Sequence, residues 1–388
     1  MVGWLGATLR GGRRVLTPAD GVIQHFLSSA TLSRRSDHDY CLKLVKKHDF
    51  ENYLCGLIWP QQLQPGYFAI RAFNVEIATI KDQIKENNNV MAGRMRFQWW
   101  RDALEHIGGA SQIEDGTSVD AAQEHPVLNQ LKRLRILGTD GPVHSRWLSR
   151  SLEARCNDLQ VNQYDSLEEV EQYAEQSSSS LLYALADTLR AGDVAETTDF
   201  DEHRHFYRSE QMEFCLSHVG VASGLTLLLR GLPVHLAAGS CVLPRETMNA
   251  HGLSMDALFE LAALPQDQLL TAGQEQQRSC LMAAVHDLAS QANAHQERAL
   301  QLQDLVLADP TAAVSATGPG VTPADAGLRL QRTLYLSALP ALRSGLYLAA
   351  LQDAQFDALS PALRDIEARP FPLDLQMRIL KSLWQRKV

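Results

Sequence analysis

Apolar side chains along this chain return every three or four residues, and strict alternation is scarce, so the pattern predicts helices and few strands. A first helix is expected over Asp39–Lys47, with Leu42 and Val45 on one side and Lys43, Lys46 and Lys47 mostly on the other. Longer ones follow at Gly66–Lys85 and at Met91–Ile107, the second carrying Phe97, Trp99, Trp100 and Leu104. Pro126–Leu137, His144–Leu159 and Leu167–Leu189 continue the series, and Glu210–Leu229 is the most apolar long segment. Pro244 and Gly252 bracket a turn and a short helix. Met255–Leu264, Gln266–Gln303, Leu328–Gln352 and Leu373–Gln385 complete the expected set. Between them, Gly108–His125 reads as a polar connector, Gly192–Asp201 as an acidic loop, and Asp309–Gly327 as a linker rich in Pro, Gly, Ala and Thr. The class is all-α, with no internal repeat.

Composition narrows the picture. The chain has 388 residues, 45% apolar and 21% charged, enough for one large helical domain or two smaller ones. Its net charge is -9, and no basic stripe with interleaved aromatics appears, which argues against a nucleic-acid partner. The cysteines at 41, 55, 156, 215, 241 and 280 are scattered and read as reduced thiols, and the histidines lack metal-ligand spacing.

The two ends differ from the rest. Residues 1–35 carry Arg10, Arg13, Arg14, Arg34 and Arg35 among many Ser and Thr, with Asp20 as the only acid. That is the composition of a mitochondrial transit peptide; the plainer alternative is a basic tail. Residues 36–388 are then the helical domain. At the other end, Leu373, Met377, Leu380 and Trp384 recur at helical spacing, with Arg378, Lys381, Arg386 and Lys387 set against Asp374 alone. Such a cationic amphipathic helix suits an anionic membrane surface, and equally an ordinary surface helix packed on a core. The uncharged run Val219–Leu229 is too short to span a bilayer and reads as a buried core helix.

Several segments, in order, resemble the squalene/phytoene synthase family. They are Tyr67-Phe-Ala-Ile-Arg-Ala-Phe73, Arg94-Met-Arg-Phe-Gln-Trp-Trp-Arg101, and Gly220-Val-Ala-Ser-Gly-Leu-Thr-Leu-Leu-Leu-Arg230 running on to Leu243-Pro244. The resemblance implies an isoprenoid-synthase-like helical bundle over most of residues 39–388. Synthases of this family ionise an allylic diphosphate, a chemistry that needs Mg²⁺ held by carboxylates. Two aspartates at i and i+4 share one helix face, and two such helices build the site.

At the matching positions the aspartates are degenerate. The first motif falls on Ala78-Thr79-Ile80-Lys81-Asp82, where only Asp82 is acidic, and the second on Gly231 and His235, where neither is. Pro233 is expected to end or kink the second motif's helix. Asp82 and Glu86 form an acidic pair one turn later, readable as a shifted metal site or as two solvated acids. Arg71, Glu76, Arg94, Arg96, Tyr173 and Arg230 are the candidates for a remnant pocket, with the arginines making its entrance positive or else paired structurally with Glu76 or Asp82. The serines of Ser177–Ser180 read either as a close helix contact or as a polar piece of that pocket.

These departures, with Arg71–Ala78, Tyr173-Ala-Glu175 and Pro370-Phe-Pro-Leu-Asp-Leu-Gln376, resemble a non-catalytic branch of the family. That resemblance implies a mitochondrial matrix protein, peripheral to the inner membrane and without catalytic residues, metal or cofactor. Its partners would be early assembly intermediates of respiratory complex I around the ND1 module. Two other readings stay open: a prenyl-diphosphate transferase with a relocated metal site, and a prenyl-lipid or quinone-binding protein.

Overall fold

Ser166, Ser209, Ser254, Thr271 and Thr322 each stand one residue before a helix, and the side chain of each accepts a hydrogen bond from the backbone N–H three residues on. An N-cap of this kind satisfies an N–H that the helix itself cannot pair, so these five residues fix where the chain turns helical. Thr271 goes further, because Gln274 reaches back to the Thr271 N–H and closes a capping box.

The computed structural model describes residues 36–87, 89–109, 125–136, 145–195, 209–265, 268–310, 322–363 and 373–385. Among these, every regular element is helical. The first is α1, over residues 36–48. Then come α2 (Phe50–Gly56), α3 (Gln64–Asn87), α4 (Val90–Gly109), α5 (Pro126–Ile136) and α6 (Ser145–Asn157), which tightens into a 3-10 turn at Asp158–Gln160. α7 (Leu167–Ala174) passes through a π turn at Glu175–Ser179 into α8 (Ser180–Ala195). α9 (Glu210–Ala237), α10 (Arg245–Ala250), α11 (Met255–Ala263), α12 (Ala272–Ala308), α13 (Pro323–Ala338), α14 (Ala341–Asp353) and α15 (Leu373–Gln385) follow. The transit-peptide expectation for residues 1–35 lies outside the described residues, as do most of the Gly108–His125 connector and the middle of the 309–327 linker.

α9 is the axis of the fold. Met212, Cys215, Leu216 and Val219 enter a core shared with α3, α4, α8 and α13. Val221, Leu225, Leu229, Leu232 and Leu236 enter a second core shared with α11, α12 and α14. By length and composition α9 could cross a membrane, but 67% of its most apolar stretch is buried inside the protein, as a core helix requires.

Four expectations need correction. α9 does not stop at Leu229 or break at Pro233; it runs on to Ala237. Pro233 removes one N–H from the helix ladder, but buried Leu229, Leu232 and Leu236 on either side hold the segment helical. The true stop is Gly239 (φ +74°), where Gly239 N–H bonds to Leu236 O and Ser240 N–H to His235 O, a pairing that needs a left-handed residue. The expected helix Leu328–Gln352 is two helices, α13 and α14, bent by 44° at Leu339–Pro340. Leu167–Leu189 likewise contains the π turn, and α2 lies where no helix was expected.

Candidate functional site

α3 and α9 present their motif positions to one cavity of about 340 Å³. Ala78 and Asp82 line it from α3, one helical turn apart; Gly231 and His235 line it from α9 with the same spacing. Tyr173, Ser177 and Ser178 close it from α7 and the π turn, and residues 158, 161–164 and 240–242 form its rim. The two degenerate motifs thus face a shared space.

Polar groups in this wall are largely satisfied by one another. The Lys81 ammonium donates to Asp158 Oδ2 (2.8 Å), Asp158 O (2.8 Å) and Val161 O (3.0 Å). Its three N–H bonds are therefore all spent on the 3-10 turn and on Val161, the residue that follows it. Tyr164 Oη donates to the other Asp158 oxygen at 2.6 Å. Burial, then the Asp158 charge, pushes the Tyr164 phenol far above its ordinary range, so it stays a neutral donor. Arg155 donates to Asn74 Oδ1 (2.8 Å), and Ser177 Oγ donates back to Tyr173 O (2.7 Å). Ser240 N–H donates to His235 O at 2.9 Å and fixes the rim.

The serines divide between the two roles considered for them. Ser177 and Ser178 line the cavity. Ser179 instead packs on α9, donating to Ser217 O at 3.1 Å beside Gly220.

None of the four arginine candidates, Arg71, Arg94, Arg96 and Arg230, lines the cavity, and neither do Glu76 and Thr79. Arg71 pairs with Asp49, which also faces Arg343 Nη1 at 3.7 Å. Arg343 reaches Glu51 (3.3 Å), and Glu51 holds Arg230 at 2.8 Å. This chain of five charges ties the α2 end of the protein to α3, α9 and α14. Arg94 donates to Gln160 and Arg96 to Gln83. Glu76 accepts from Tyr40 Oη (2.7 Å), and the Thr79 hydroxyl donates to Glu76 O. The expected positive mouth is therefore corrected: the charged lining is Lys81, Asp82, Arg155 and Asp158, two of each sign. Lys81 sat unremarked inside the first motif, and its partner Asp158 lies far off in sequence, so spacing alone gave no signal for the pair.

A Mg²⁺–diphosphate cluster does not fit this donor set. One carboxylate, Asp82, stands at the four motif positions, and the nearby Asp158 is already bound to Lys81 and Tyr164. No group of three or more His, Cys, Asp or Glu among the described residues has metal-holding geometry. The Glu86 side chain, the other half of the shifted pair, is outside the described residues.

The profile of the squalene/phytoene synthase family matches residues 45–361. The chain belongs to this family. Within it, the NADH dehydrogenase (ubiquinone) complex I, assembly factor 6, of Rattus norvegicus is 32% identical over 276 residues, which is 70% of this chain and 68% of that protein. The Homo sapiens protein of the same name is 30% identical over 268 residues, 68% of this chain and 65% of the relative. The chain thus spans about two thirds of the length of these relatives. Among solved structures, the squalene synthase HpnC from Alicyclobacillus acidocaldarius superposes with a TM-score of 0.55 at 14% identity, covering 84% of this chain and 97% of that one. A dehydrosqualene synthase with bound ligand gives 0.58 at 17%, covering 91% and 98%. At such identities the likeness concerns the fold, which is the all-α, isoprenoid-synthase-like bundle of the squalene/phytoene synthases.

α15 carries the remaining candidates. Leu375, Ile379 and Ser382 are buried, and Ser382 Oγ lies 3.1 Å from Tyr335 Oη. Arg378, Lys381 and Trp384 are exposed, and Arg386 lies outside the described residues.

Proposed function

We propose that this squalene/phytoene synthase family member is a non-catalytic assembly factor for mitochondrial respiratory complex I. It acts in the matrix, peripheral to the inner membrane, on early intermediates around the ND1 module. The observation that carries the reading is the likeness to proteins named complex I assembly factor 6 over about two thirds of their length. The site supports the non-catalytic part, because Ala78, Gly231 and His235 leave Asp82 as the sole carboxylate at the motif positions. The transit-peptide composition of residues 1–35 supports the compartment.

The test is a native-gel assay of complex I in cells depleted of this protein, then given back the natural chain or an Asp82→Ala variant. Restoration by both is the expected result. Restoration by the natural chain alone, with the variant folded, would turn the reading toward a transferase with a relocated site. Unchanged complex I on depletion would end the assembly reading.

A second reading has one observation of its own. Ile77, Phe97, Leu227, Leu228 and Val242 give the cavity an apolar wall, which suits a prenyl lipid or quinone held without a metal. Lipid co-purifying with the protein, identified by mass spectrometry and lost when Leu228→Arg fills the wall, would establish it.

A further inference from the structure

The C-terminal helix α15 shows apolar side chains on two opposite sides. Leu375 and Ile379 face the core and are 1% and 4% exposed. Leu373, Met377, Leu380 and Trp384 are 67%, 65%, 59% and 87% exposed. At ~100° per residue these four fall within about 60° of arc, centred nearly opposite the buried side. A contiguous outward apolar stripe of this kind on a water-soluble surface marks a contact.

Charge indicates which contact. Arg378 and Lys381 are exposed on the flank between stripe and core, and the sequence continues to Arg386 and Lys387, with Asp374 the only acid after Leu373. This cationic end belongs to a chain of net charge -9. Arg378 also lines a mostly apolar cavity of about 220 Å³ walled by Val219, Ala299 and Leu342. An acyl chain displaced beside the helix would find an apolar recess with a cation at hand.

We infer that α15 docks this protein on an anionic phospholipid bilayer, with Leu373, Met377, Leu380 and Trp384 set among the acyl chains and Arg378 and Lys381 against lipid phosphates. This deepens the inner-membrane placement proposed above and rests on it for the choice of lipid. The helix is already anchored to the core, so docking costs little ordering of the backbone. Each basic residue near an anionic surface adds attraction that falls off within a Debye length, so salt weakens the contact.

The test is flotation of the purified full chain with phosphatidylcholine vesicles, with and without cardiolipin. The natural chain should float with the cardiolipin vesicles and dissociate at high salt. Met377→Glu/Leu380→Glu and Arg378→Glu/Lys381→Glu should each weaken binding by about tenfold or more. All four side chains are exposed, so thermal unfolding and circular dichroism should not change. Quenching of tryptophan fluorescence by brominated lipid should diminish in Trp384→Phe. Flotation of the variants equal to the natural chain, or no flotation of the natural chain, would overturn the inference. So would concentration-dependent dimerisation abolished by the apolar pair of substitutions, which would give the stripe to a second copy. If flotation fails while the native-gel rescue succeeds, only the role of α15 falls; the reverse pattern removes the assembly reading and leaves the bilayer contact standing.

Discussion

Ser179 and Gly220 meet where the π turn crosses α9: a Cβ on Gly220 would stand 2.1 Å from Ser179 Oγ and 2.4 Å from the Ser179 Cα. The second distance is to backbone, which cannot swing aside. Gly220 also sits between Val219 in one core and Val221 in the other, so displacement there disturbs both. Gly220→Ala is expected to destabilise by about 1–3 kcal/mol, the usual range for overpacking, measured by urea unfolding. Gly273→Ala, in α12 with nothing near its Cβ position, should be neutral or stabilising by up to ~1 kcal/mol.

Asp49 and Arg71 form a buried pair, with side chains 11% and 8% exposed. Asp49→Ala would leave Arg71 charged and buried, at a cost of about 3–5 kcal/mol in unfolding free energy.

The same pair sets a pH dependence. Burial alone would raise the Asp49 carboxyl, but Arg71 and Arg343 outweigh it and hold it below its ordinary value. Its contribution is therefore complete above the unfolded pKa of ~4 and fades as pH falls through the lower folded value. Urea midpoints measured downward from neutral pH should show this loss, and Asp49→Asn should flatten it.

Thiol chemistry should separate the cysteines. Burial pushes the Cys41, Cys55 and Cys215 thiols up to about 12 and Cys241 to about 11, whereas Cys156 and Cys280 are only half-buried. With a thiol reagent at mildly alkaline pH, Cys156 and Cys280 should react first and the other four only on unfolding. Peptide mass spectrometry would show the order.

Ala78→Asp/Gly231→Asp/His235→Asp would place four carboxylates around one cavity. Removing His235 also clears the atom 3.0 Å from the Gly231 Cβ position. The variant should bind Mn²⁺ detectably by electron paramagnetic resonance, at least tenfold more tightly than the natural chain. Equal affinity would mean that the two helices are not placed to share a metal.

Much of this was readable in advance. Helical periodicity located α3, α4, α9 and α15 to within a few residues except at the end of α9, and it was the family resemblance, rather than spacing, that pointed to Ala78, Asp82, Gly231 and His235 as positions on two neighbouring helices. The partners of Arg71 and Arg230 were not readable. Asp49 and Glu51 lie in and beside a short helix that periodicity does not reveal, and Arg230 is 179 residues from Glu51. Pro233 misled because local propensity was weighed without the buried leucines that override it. Pro340 is a breaker legible in the sequence, but the apolar period continuing on both sides of it reads as one helix.

The path of α9 has a consequence for how the protein comes into being. A helix that supplies side chains to two apolar clusters cannot settle in one while the other is absent, because half of its surface would remain wet. The two clusters should form and melt together, and hydrogen exchange along α9 should report one opening event. A chain delivered unfolded to its compartment would then have no half-built resting state.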